Sequence, residues 1–186
     1  MDVYGLNPRE SEGKPTEPSE NATQDELQQY YQALHDWNKK QPGRYFRSNF
    51  WNWFGIISVA EMSIQLLRLP LSTRGWGANN GDGLQKQEDC DMLAYAIETF
   101  LLLNQDIKES DDTIYVVTSM WTDSNGSFLS QEKSLELSLT YEPGSILYNH
   151  VVMEDGTIAC PACGTTRNHI ENFVKFLRSC GGFEIC

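Results

Sequence analysis

Positive charge is scarce in this chain. Its 186 residues carry 14 Lys and Arg against 26 Asp and Glu, a formal net charge of −12. General nucleic-acid binding rests on cations placed against phosphate, so the balance argues against that function and against adhesion to anionic membranes. Long apolar runs are missing too: none approaches the roughly 20 residues that span a bilayer. The first ten residues, MDVYGLNPRE, lack the basic-then-apolar pattern of a secretory signal, so the expected location is the cytoplasm. Histidine occurs only at positions 35, 150 and 169. No P-loop, dinucleotide fingerprint, serine elbow or paired catalytic carboxylate stands out, and the zinc-deaminase pattern is absent. These absences favour binding over catalysis.

What is present fits an ordinary folded protein. Apolar residues make up 40% and charged residues 22%, enough for one domain with a core and a tail. Residues 1–22, with ESEGKPTEPSEN inside them, have little to bury and read as a flexible segment, although VYGLNP could still pack through Tyr4 and Leu6. Residues 23–186 read as a single α+β domain, with a helical half over 23–108 and a sheet half over 113–186. Thr23 and Glu26 have capping-box spacing, and Leu27, Tyr30, Tyr31, Leu34 and Trp37 follow at helical spacing over about 24–40. A second helix starts at Ser48 or Asn49 and is limited by Pro70; it is apolar nearly all round and so expected to be central. Cys90, Leu93, Ile97, Phe100 and Leu101 stripe a third helix, which makes Cys90 a core residue. The pattern then turns to strands: TIYVVTSMW, the alternating LELSL, and a hairpin turned at Asp155-Gly156. Ile170, Phe173, Val174 and Leu177 share one face of a last helix, ended by Gly181-Gly182. Helices first and strands later predict an antiparallel sheet backed by helices, closed by a zinc-knuckle and helix element.

Four of the five cysteines lie in the last 27 residues. Without a secretory signal, thiols or metal are favoured over disulfides. Cys160-Pro-Ala-Cys163-Gly resembles a zinc knuckle, in which a tight turn aims two sulfurs at one point. Redox use and unliganded thiols are the alternatives. A helix from about Thr166 to Ser179 is roughly 20 Å long, which carries Cys180 away from the knuckle. FEIC, running back in extended form, brings Cys186 nearer. The expected structural zinc set is Cys160, Cys163 and Cys186, with His169 or His150 as fourth ligand and His169 preferred.

Two stretches suit ligand binding. RYFRSNFWNW mixes two arginines with aromatics, and RGWGANNGDGL offers backbone amides and an indole. Arg44, Arg47, Arg74 and Trp76 could line one pocket for an anionic, nucleotide-type molecule. A buried helix entry and a plain structural turn are the competing explanations. His35 falls on the polar side of the first helix.

YGLNP, GRYFRSNFWNW, NNGDGL and FLRSCGGFEIC together resemble a family of accessory proteins encoded by tailed phages and prophages. The likeness covers about half the chain in pieces and carries no catalytic residue with it. It implies a bacterial host cell and a small non-enzymatic protein that counters host defence. Such a protein would sequester a nucleotide signal or block a defence protein. A nucleotide-modifying enzyme and a purely structural interaction protein are the alternatives.

Overall fold

The computed structural model describes residues 1–9, 13–19, 22–104, 106, 107 and 112–186. It has five helices and two antiparallel sheets among them. The mixed α+β class is as the sequence predicts, but the strands divide into two sheets where one was expected.

The first sheet joins the two ends of the chain. Strand β1 (Asp2–Gly5) lies between β2 (Tyr45–Arg47) and β7 (Phe183–Ile185), antiparallel to both. Val3 pairs with Phe46 on one side and Ile185 on the other, and it is fully buried. The expectation of a flexible segment over 1–22 therefore fails for its first residues. Leu6, Asn7 and Arg9 continue the docking: their amides donate to the carbonyls of Gly182, Cys180 and Ser179.

The second sheet has the order β4-β3-β6-β5. Strands β3 (Thr113–Asp123) and β6 (Ile158–Thr166) are its centre; β4 (Ile146–Leu147) and β5 (Val151–Val152) are its edges. The hairpin at Asp155-Gly156 forms as expected, with Gly156 at a positive φ that suits glycine. Its register puts Val151 opposite Ala159 and Val152 opposite Ile158.

Local signals set the helices. Helix α1 (Gln24–Lys39) starts with the full Thr23–Glu26 capping box. Its apolar stripe, however, stays open: Leu27 and Tyr31 are exposed and Trp37 is the buried member. Helix α2 (Phe50–Leu67) is capped by the Asn49 side chain and buries Trp53, Ile56, Val59 and Ala60. It lies on β6 so closely that Gly55 almost touches the backbone at Gly164 and Thr165. Helix α3 (Gln87–Leu103) and α5 (Arg167–Leu177) present the predicted stripes to the core.

Helix α4 (Gln131–Thr140) corrects the sequence reading, which made LELSL a strand. The alternation of Leu135, Leu137 and Leu139 does not mark a shared face: Leu137 is buried, while the other two are 61% and 81% exposed. Ser130 caps the helix by accepting from the Lys133 amide. Ser138 and Thr140 bond back to the carbonyls of Ser134 and Glu136, as hydroxyls do within helices.

An aromatic cluster ties the layers together. Phe46 from β2, Trp53 from α2, Phe173 and Phe176 from α5, and Phe183 from β7 are all buried. Trp53 meets Phe173 edge-on at 5.6 Å, and Phe46 lies 5.1 Å from Phe173. Trp76, from the loop before α3, completes it.

Candidate functional site

The four residues expected to line one pocket separate. Trp76 is 1% exposed. Its ring stacks with Trp53 at 6.3 Å and meets Phe183 edge-on at 5.1 Å. Its carbonyl accepts from Trp53 Nε1 at 2.7 Å. It is a core residue with no face left for a ligand. Arg74 is exposed in the same loop. Arg47 points outward from β2 and pairs with Asp2 at 3.8 Å. Only Arg44 borders a concavity.

The glycine-rich loop is tied to β7. Its backbone is spent on β7: Gly81 N–H donates to the Ile185 carbonyl, and the carbonyls of Asp82 and Leu84 accept from Ile185 and Phe183. It therefore acts as a further edge to the first sheet, and this ordering is what carries Trp76 into the core.

The expected zinc set is not assembled either. Cys160 and Cys163 lie within the continuous strand β6, not in a tight turn. Residues three apart in a strand face opposite sides. Burial alternates accordingly, with Ala159, Pro161, Cys163 and Thr165 buried and the residues between them less so. Cys186 is exposed at the end of β7, in the other sheet, and its amide donates to the Asp2 carbonyl. FEIC is extended, as argued from its length, but β1 holds it. His169 Nε2 lies 2.9 Å from Ser48 Oγ, and its ring packs 4.9 Å from Phe46. Burial pushes its pKa below the ordinary histidine value. Ser48 is itself buried, so this contact fastens α5 to the β2–α2 turn. His150 is exposed beside β5. Among the described residues, no group of three or more His, Cys, Asp or Glu side chains is placed to hold a metal ion. Burial also pushes the Cys163 thiol up, away from the thiolate that zinc takes.

A groove of about 540 Å³ lies between the C-terminal part of α1 and the first sheet. Tyr4, Tyr45, His35, Asn38, Gln41 and Arg44 line it. Arg44 sits over the Trp37 indole, 5.2 Å from the ring centroid, a cation–π placement that orients the guanidinium. Tyr4 and Tyr45 pair at 5.2 Å and are each 44% exposed. The Tyr45 hydroxyl donates to Asp2, and that bond raises its pKa. The Asn38 amide oxygen and the Trp37 Nε1 are buried and have no hydrogen-bond partner among the described residues. Buried polar atoms of this kind are rare and mark places where a ligand or water belongs. One is an acceptor and the other a donor.

No family model matches the chain, and no curated protein or solved structure is similar to it.

Sequence reasoning found Arg44 and missed its neighbours. Tyr4 and Tyr45 stood in the stretches YGLNP and RYFR, but their meeting requires β1 to pair with β2. His35, placed on the polar side of α1, does lie on the groove.

Proposed function

We propose that this protein binds an anionic ligand with a planar group, of nucleotide type, in the groove bordered by Arg44. The observation that carries the reading is the coincidence there of an oriented guanidinium, an exposed tyrosine pair and the buried Asn38 amide oxygen, which has no partner among the described residues. Arg44 supplies a charge-assisted bond to phosphate. The tyrosines offer faces on which a base stacks. A net charge of −12 repels free phosphate, so local positive charge at the groove is what lets an anion settle. The setting, removal of a nucleotide signal used in bacterial defence, is supported by the resemblance to phage accessory proteins.

The test is calorimetric titration with a panel of mononucleotides, cyclic dinucleotides and inorganic phosphate. Saturable binding of at least one nucleotide is expected. Arg44→Ala should weaken it about ten-fold or more, from the roughly 1.5–3 kcal/mol of a charged hydrogen bond. Arg74→Ala, outside the groove, should leave it unchanged. Equal effects of the two substitutions, or no binding across the panel, would overturn the reading. Recovery of chemically intact nucleotide after denaturing the complex distinguishes capture from turnover.

A second reading, a basic protein partner, is favoured by a different observation. Leu135 and Leu139 on α4 are more than half exposed, and Glu132 and Glu136 stand beside them on the same helix face. A partner with cations around an apolar anchor would match such a face.

A further inference from the structure

We propose that Cys90 and Cys180 form a redox pair that closes into an intramolecular disulfide when a peroxide reaches it. The two sulfurs lie 3.6 Å apart, and the residues are 90 positions apart in sequence. Both are fully buried. A disulfide needs about 2.05 Å between sulfurs, so closure asks for an approach of ~1.5 Å, which side-chain rotation and a small backbone shift supply. The other cysteines have no such neighbour: Cys160 and Cys163 face opposite sides of β6, and Cys186 is exposed at a sheet end.

The surroundings hold the pair in place. Cys90 is in the first turns of α3; Cys180 begins the turn that leads from α5 into β7. Gln87 bridges these elements, accepting from the Gly181 amide at 2.7 Å and donating to the Leu177 carbonyl at 2.8 Å. Arg178 bonds Glu98 across the same junction. Gly181 and Gly182 both take positive φ, which lets the chain reverse directly after Cys180. The Gly182 amide is directed at the sulfurs and favours a thiolate there. The thiols share their first ionisation. The contact with Cys90 holds the Cys180 thiol below its ordinary value, and the same contact raises Cys90.

Cys180 takes the first step because it lies in the turn between α5 and β7, whereas Cys90 is held inside α3. The Cys180 thiolate attacks one oxygen of hydrogen peroxide; the O–O bond breaks, and the departing hydroxide takes up the proton Cys180 released, as water. Cys180 is then a sulfenic acid. Cys90 loses its proton and attacks the Cys180 sulfur. The S–S bond forms, the S–O bond breaks, and hydroxide leaves with that proton as a second water. Two thiols lose two electrons, and one peroxide becomes two waters. Access runs through the strap of residues 6–9, whose amides are bonded to the carbonyls of Ser179, Cys180 and Gly182. Opening of that strap sets the rate. The closed bond fastens α3 to the strand that pairs with the N-terminus, across a loop long enough for a marked loss of unfolded-state freedom.

The experiment treats the full chain with hydrogen peroxide, alkylates it under denaturing conditions and maps the digest by mass spectrometry. A linked peptide pair containing Cys90 and Cys180 is expected, reversed by dithiothreitol. The melting temperature of the oxidised chain should exceed that of the reduced chain by several degrees. Cys180→Ser should give no linked pair and no rise. Recovery of both cysteines alkylated, conversion of either to sulfinic acid without linkage, or a link through Cys186 instead would each overturn the proposal. Should the serine variant fold poorly, the wild-type peptide map decides alone.

Discussion

Replacing Gly55 with alanine tests how α2 is seated. In an exposed helix this change stabilises by about 0.8–1.0 kcal/mol, because alanine has the better helix propensity. Here a Cβ at position 55 would stand 2.8 Å from the Gly164 carbonyl carbon and 2.9 Å from the Thr165 nitrogen. Ordinary contact begins near 3.4 Å, so the helix must lift by about half an ångström or the strand must yield. Strand β6 cannot yield easily there, since Gly164 and Thr165 pair with Tyr115 and Ile114 of β3. Overpacking of this kind costs about 1–3 kcal/mol, and backbone atoms as the obstacle put it in the upper half of that range. The net is a loss of about 1–2 kcal/mol, or ~3–6 °C in melting temperature for a domain of this size. Urea unfolding should show the midpoint falling with the slope unchanged. A Gly55→Ala chain as stable as the parent, or more so, would mean that α2 does not rest on β6 as described.

Three further substitutions probe the corrections to the sequence reading. Val3→Ala should cost about 1.5–3 kcal/mol in urea unfolding, from two buried carbon groups and the cavity they leave; a flexible N-terminus would show no change. Cys160→Ser and Cys163→Ser should have effects on stability that add to within about 0.3–0.5 kcal/mol in the double variant, because the side chains face opposite sides of the sheet. A shared metal would make the second substitution nearly silent once the first was present.

The expectations that held are those written within a few residues. The Thr23–Glu26 box, the Asn49 cap and the stripe on α5 each depend on spacings of three or four, and the helix forms wherever they occur. The β-branched run in β3 and the Asp155-Gly156 turn are equally local. LELSL failed because period two was read without weighing its Ser, Glu, Gln and Lys neighbours, which cap and favour a helix. The candidate site failed for another reason. Arg47, Arg74 and Trp76 were grouped by chemistry, and chemistry does not say which way a side chain points.

The sequence by itself determined that α1, α2, α3 and α5 form, that a strand and a hairpin precede the last of them, and that Cys90 belongs to the core. Only the tertiary structure decided which residues meet. Val3 pairs with Ile185 across nearly the whole chain, and that pairing turns an unpromising N-terminus into the middle of a sheet. The glycine-rich loop gives its amides and carbonyls to β7, so Trp76 is inside. A Cys-x-x-Cys segment paired along β3 stays extended, so its sulfurs part. Arg44 gains Tyr4, and Cys90 its partner sulfur, from segments tens of residues away. Backbone hydrogen bonds between distant strands are satisfied only in the assembled fold, and no local spacing encodes their partners.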